Sequence, residues 1–214
     1  MVVVKKEAER RPRDPVATKA KILESAISEF SKKGYDGARV EGIAQKAKSN
    51  INLVYHYFGS KENLFIAVME QSYGLIRSHH NDMDLRTLPA EEAMRALVSS
   101  TFRMFVNHPE LIGLIATTNL NEARHIQHSR IISELYKPFV DFIKEILERG
   151  VSEGVFRAAV DPVELFISIN AEGYFYLSNR YTLGFILQQN FMSEERLQRR
   201  EEFIVDVIMS FLRH

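Results

Sequence analysis

From Val16 to the end of the chain, apolar residues recur three and four positions apart, and nowhere do they alternate with polar ones over the length of a strand. That spacing follows the 3.6-residue turn, so each segment has one stripe to bury and the chain is read as all-α. Ile22, Leu23, Ala26, Ile27 and Phe30 define a first helix closed by Gly34, and Val40, Ile43, Ala44 and Ala47 a short second one. Ile51, Val54, Tyr55 and Phe58 define a third, with Asn50 at its N-cap. Ser60 caps a fourth, running through Leu64, Phe65 and Val68 to about His79, and residues 81–89 read as a connection. Further helices are expected over 90–107, after Pro109, over 122–149 with Gly150 as the stop, over 161–187 and over 193–213. The start at Asp161 is strongly marked, because Pro162 occupies the first helical position and Glu164 follows three residues after the cap.

The chain has no cysteine, which excludes disulfides, thiolate metal sites and a cysteine nucleophile and suits a reducing cytoplasm. No apolar run approaches a membrane span, and no secretory leader is read. The formal charge sums to zero but is distributed unevenly. Residues 1–61 hold 13 Lys and Arg against 7 Asp and Glu, whereas residues 62–214 hold 15 against 21. A basic front end points to a polyanionic partner for that part alone. Residues 1–15, basic and interrupted by Pro12 and Pro15, read as a disordered arm; 16–62 as a DNA-binding unit; and 63–214 as a second helical domain.

Residues 39–58 have the pattern of a helix-turn-helix: one helix braced inward, a tight turn, and a second helix with side chains left over for the major groove. The second helix carries Tyr55, His56, Tyr57 and Phe58 in a row that no single core face can bury. Ile43-Ala44 followed by Leu53-Val54-Tyr55-His56-Tyr57-Phe58-Gly59-Ser60-Lys61-Glu62-Asn63-Leu64 resembles the signature of the tetracycline-repressor (TetR) family of transcription regulators. The string stands about twenty residues after Lys33-Gly34-Tyr35, and the likeness spans Thr18 to Val68.

The resemblance implies that Asn50 to Phe58 enter the major groove, with Ile51, Asn52, Leu53 and Tyr55 facing base edges or nearby backbone. Asn52 is suited to adenine and Leu53 to a thymine methyl. Tyr57 and Lys61 correspond to phosphate contacts. Arg39, Lys48, Asn50 and His56 complete the candidate DNA set. Two positions depart from the family pattern. Lys48-Ser49-Asn50 stands where Gly-Val-Ser is usual, so Lys48 must take the glycine's positive φ, at about 1 kcal/mol, if the turn is retained. Arg39 replaces a capping Ser or Thr, so the phosphate contact can survive in its guanidinium but the cap cannot.

The segments 161–187 and 193–213 are apolar on more than one face, which calls for a second partner surface. The resemblance implies a four-helix interface in a homodimer, here assigned to Phe166, Ile169, Gly173, Leu177, Ile204, Ile208 and Phe211. It also implies an unidentified small-molecule effector between the middle helices. Phe102, Phe105, Asn119, His125, His128, Tyr136, Phe139, Tyr174, Asn179 and Arg180 are the candidates, and their aromatic character favours a largely apolar ligand. The function expected is a non-enzymatic repressor that binds a palindromic double-stranded DNA operator as a dimer and is released by its effector, with no cofactor. The competing reading is a helical-bundle enzyme or metal protein built on Glu122, His125 and His128.

Overall fold

The computed structural model describes residues 14–81, 85–135 and 137–213; residues 1–13 of the arm and Tyr136 lie outside them. Among the described residues there are eleven helices and no strand. In order they are α1 (Pro15–Gly37), α2 (Val40–Lys46), α3 (Ile51–Phe58), α4 (Lys61–Asn81), α5 (Ala90–Asn107), α6 (Glu110–Leu120), α7 (Arg130–Leu135), α8 (Lys137–Ser152), α9 (Pro162–Ser178), α10 (Arg180–Leu187) and α11 (Glu194–Leu212).

The local signals act as expected at several ends. Asp14 Oδ1 accepts the Val16 and Ala17 amides ahead of Pro15, so α1 begins one residue before its apolar stripe. Asp161 Oδ1 does the same for Val163 and Glu164 at 2.7 and 3.2 Å. Ser60 Oγ takes the Asn63 amide at the start of α4. Gly34 breaks the α1 helix at φ 70°.

Three expectations fail. The segment 122–149 is not one helix: α6 ends at Leu120, Glu122 and Ala123 adopt φ of 53° and 57°, and turns run to His128 before α7 and α8. Asn121 provides part of the reason, since its side-chain amide donates to the Thr117 carbonyl and competes with helix continuation. The 161–187 helix breaks at Asn179, whose side-chain amide likewise donates to Phe175 O. Gly150 does not stop α8, which continues to Ser152; the turn falls at Gly154, φ 72°. Gly150 is small for another reason: the Phe156 ring lies where a Cβ would be, 2.0 Å away.

Two cores result. The first gathers Ile22, Ala26 and Phe30 of α1, Ile43 of α2, Val54 and Phe58 of α3, and Leu64, Phe65 and Val68 of α4. It is closed by Leu114 of α6 and Ile132 of α7, so the core of the N-terminal helices is completed by residues far beyond 62. The second is built around α5, which packs against α8, α9 and α11 through Leu97, Phe102, Phe105, Ile146, Ile169, Leu177, Ile204 and Ile208. The two halves meet where α6 crosses α1. There Gly113 lies so close to the Ser31 carbonyl that a Cβ would stand 2.0 Å from its oxygen.

Candidate nucleic-acid interface

The turn between α2 and α3 is a Schellman closure: the Ser49 amide reaches Ala44 O at 2.9 Å and the Lys48 amide reaches Gln45 O at 3.1 Å. This pattern needs a left-handed residue, and Lys48 supplies it at φ 51°. The turn is thus kept without its glycine, at the cost of strain. Replacing Lys48 by glycine is expected to raise stability by about 0.5–1 kcal/mol, relief of the strain outweighing the added chain entropy of the unfolded state. A urea unfolding midpoint that falls instead would contradict this. Ser49, next in sequence, buries its Oγ without a hydrogen-bond partner among the described residues.

Across α3, Val54 and Phe58 face the core, while Asn52, Tyr55 and His56 are exposed and Ile51, Leu53 and Tyr57 are half-buried at the edges. Asn50 Oδ1 accepts the Asn52 backbone N–H at 2.9 Å, so the Asn50 side chain is engaged as the N-cap while the Asn52 side chain stands exposed. Arg39 is exposed at the start of α2 and makes no side-chain cap.

The start of α2 is instead steadied by a residue outside the candidate set. Glu29 of α1 is buried, pairs with Lys33 Nζ at 2.6 Å, and lies beside the Arg39 backbone N–H. Gly42 admits it, since a Cβ there would stand 3.3 Å from Glu29 Oε1. The Lys33 hydrogen bond, the Lys33 charge, the Arg39 amide and the Lys46 charge hold the carboxyl below its usual range, although burial opposes them. A depressed folded-state pKa means this stabilisation is present above the unfolded value, about 4.3, and is lost as pH falls through the folded one. Glu29→Gln is therefore expected to cost about 1.5–3 kcal/mol at neutral pH and progressively less in acid. Denaturation curves of the two proteins at several pH values check this, and a constant difference would exclude the carboxylate role.

Lys61 opens α4 with its Nζ 4.7 Å from the Tyr35 ring centroid and 3.5 Å from Asp36 O. A further neighbour of Tyr35 comes from the far half of the chain: the His125 ring lies 3.8 Å away, tilted 30°. His125 Nδ1 is 3.1 Å from Glu62 Oε1.

The effector candidates do not form one site. Phe102 and Phe105 are buried beside Gly173, Tyr174 stacks edge-on to Phe105 and Phe139 to Phe166, all within the second core. Burial pushes the Tyr174 phenol up, keeping it a neutral donor. Asn119 and His128 are exposed at the end of α6 and in the following turns, and His125 belongs to the junction just described. Asn179 and Arg180 bond to backbone carbonyls at the α9–α10 break. The metal reading fails on geometry: the Glu122-x-x-His125 spacing requires a helix that is absent, and among the described residues no three His, Asp or Glu side chains gather to hold an ion.

The dimer assignment is corrected as well. Ile169, Gly173, Leu177, Ile204 and Ile208 are enclosed within the protomer and Phe166 is half-buried; Phe211 alone of the seven is exposed, at 48%. The periodic pattern was right that both helices have two apolar faces, but the phase of each stripe is set by α5, which takes one of them. The outward faces carry Val163, Ile167 and Phe175 on α9 and Phe203, Val207 and Phe211 on α11.

Residues 22–68 match the bacterial regulatory proteins of the tetR family, and residues 90–208 match the tetracyclin repressor-like C-terminal domain. The chain is 35% identical over 196 residues to the HTH-type transcriptional repressor NicS of Pseudomonas putida, covering 92% of each protein. It is 32% identical over 142 residues to the repressor SCO4008 of Streptomyces coelicolor, covering 65% of this chain and 69% of the other. Among solved structures, a tetR-family regulatory protein from Rhodococcus RHA1 superposes with a TM-score of 0.73 at 18% identity, over 92% of this chain and 96% of that one. No helix among the described residues is long and apolar enough to cross a membrane. With a helix-turn-helix of this geometry, and with both halves matching, the chain belongs to the tetR family of bacterial regulatory proteins.

Proposed function

We propose that the protein is a transcriptional repressor that binds a palindromic DNA operator as a two-fold dimer and is released by a small, largely apolar effector. The observation that carries this reading is the exposed face of α3. Asn52, Tyr55 and His56 project from a helix whose opposite side is locked into the core, and Arg39, Lys48 and Lys61 surround it with positive charge. The repressors of P. putida and S. coelicolor support the direction of control. The aromatic grouping of Phe102, Phe105, Tyr174, Phe139 and Phe166 supports an apolar or aromatic ligand in the second core.

The dimer surface is assigned to the outward stripes of α9 and α11, extended by α10. None of the α10 side chains is buried in the protomer, and it exposes Tyr181, Phe185, Ile186 and Leu187. So large an apolar surface calls for a partner, and a second copy provides the two heads that a palindrome requires.

Selection of bound duplexes from random DNA would give the operator and test the function directly. On the selected site, Lys61→Ala is expected to weaken all duplexes alike and flatten the salt dependence by about one unit per protomer. Asn52→Ala is expected to relax sequence preference by about 1–3 kcal/mol at the contacted base pair. Equal losses on specific and random DNA for both variants would contradict these roles.

A further inference from the structure

The junction between the halves brings together four side chains that no sequence pattern connects. Tyr35 lies in the last turn of α1, Lys61 and Glu62 begin α4, and His125 comes from the turns after α6, 63 positions beyond Glu62. The His125 side chain is largely enclosed, at 11% exposure, and its ring stacks on Tyr35 at 3.8 Å. The same ring meets Phe65 edge-on at 5.8 Å. Arg124 Nε donates to His125 Nε2 at 3.4 Å, which leaves the Nδ1 proton for Glu62 Oε1. Tyr35 in turn attracts the Lys61 ammonium at 4.7 Å.

A long lysine side chain alone on a helix end samples many rotamers, and each must be given up when it grips a phosphate. Here the aromatic ring and the Asp36 carbonyl narrow that range in advance. The ring can do so only if it is itself held. Phe30 and Phe65 pack against Tyr35 from the core side, at 6.2 and 5.2 Å between centroids, and the remaining brace is His125. We infer that His125 is a positioning residue for DNA binding: its ring, delivered by the C-terminal domain, holds Tyr35 so that Lys61 is pre-set to meet the phosphate backbone.

The inference rests on the proposed role of Lys61 and extends it to a residue that touches no DNA. It also places the C-terminal domain one side chain away from the phosphate grip, because His125 sits four residues after the Asn121 that ends α6.

The test uses the full-length protein and a fluorescent random-sequence duplex, with affinity measured from about 50 to 200 mM KCl. Lys61→Ala should lower the slope of log affinity against log salt by about 0.9 per protomer. His125→Ala should lower it by a similar amount, and should add nothing in the Lys61→Ala background. His125→Phe, which keeps the stacked ring but loses both hydrogen bonds, should retain the wild-type slope. Should the alanine variant not fold, His125→Asn serves in its place with the same expected loss, and thermal midpoints measured alongside separate slope from stability. A slope unchanged in His125→Ala, or in His125→Asn where it stands in, while Lys61→Ala lowers it would overturn the inference, as would additive losses in the double variant or a fallen slope in His125→Phe. If Lys61→Ala itself leaves the slope intact, the assigned phosphate role of Lys61 fails, and the inference about His125 fails with it.

Discussion

Replacing Gly113 by alanine is expected to destabilise the protein by about 1–3 kcal/mol, although alanine is the better helix former. The added methyl carbon would stand 2.0 Å from the Ser31 carbonyl oxygen and 2.9 Å from its carbon, and both are backbone atoms that no rotamer change can move. Relief requires α6 to withdraw from α1. Because Leu114, the next residue, is buried in the core beneath the helix-turn-helix, that withdrawal also loosens the DNA-binding unit. Gly74, within α4, provides the control, since nothing lies within 4 Å of a Cβ built there. Gly74→Ala should be neutral or stabilising by up to about 1 kcal/mol. Urea denaturation of both variants decides the matter. Similar midpoints would mean that the helices do not cross this closely in solution.

A glutamate at Phe203 and one at Ile208 are expected to fail in opposite ways, though both positions lie on α11. Phe203 is 56% exposed on the outward stripe, so Phe203→Glu should leave a folded, fully helical protomer that sediments as a monomer and binds operator weakly. Ile208 is 3% exposed in the core against α5, so Ile208→Glu buries an unpaired carboxylate and should unfold the protomer, a loss of several kcal/mol. Circular dichroism and sedimentation velocity on the two variants separate the outcomes. A folded monomer from Ile208→Glu would mean that the α11 stripe is phased as the sequence reading had it. A dimer from Phe203→Glu would move the partner surface elsewhere.

The helix-turn-helix was the most legible part of the chain because its determinants are local. Asn50 caps the helix it precedes, Ser60 caps the next, and the Schellman closure at Lys48 joins residues only a few positions apart. The strain at Lys48 could be anticipated for the same reason, since a left-handed position is a property of the turn itself. Glu29 was missed because its neighbours at the start of α2 belong to another helix. A glutamate within an otherwise amphipathic stripe resembles any solvated one until Gly42 and the Arg39 amide are brought beside it. A glutamate flanked by apolar neighbours at Ile22, Ala26 and Phe30 was the one available sign, and it was weak.

The same division explains the errors in the C-terminal half. Asn121 and Asn179 end helices that periodicity alone would continue, because an Asn side chain competes for the carbonyl four residues back. Gly150 looked like a terminator and instead makes room for the Phe156 ring, a contact between neighbours in sequence whose geometry depends on the turn at Gly154. Glu122, His125 and His128 had metal-ligand spacing only on the assumption of a helix, and the chain reverses there.

By itself the sequence determined the helical class, the N-caps at Asn50, Ser60 and Asp161, the helix-turn-helix and the family, because periodicity, capping chemistry and a motif of short span depend on residues that are near one another along the chain. Only the tertiary structure decided which apolar face of α9 and α11 is core and which is surface, that α6 and α7 complete the DNA-binding core, and that His125 stands beside Tyr35. Each of these depends on which distant helix arrives to cover a stripe, and a stripe of Ile, Leu and Phe attracts any apolar partner equally. The hydrophobic effect has no direction, so the choice is made by how the helices pack and not by the composition of any one of them.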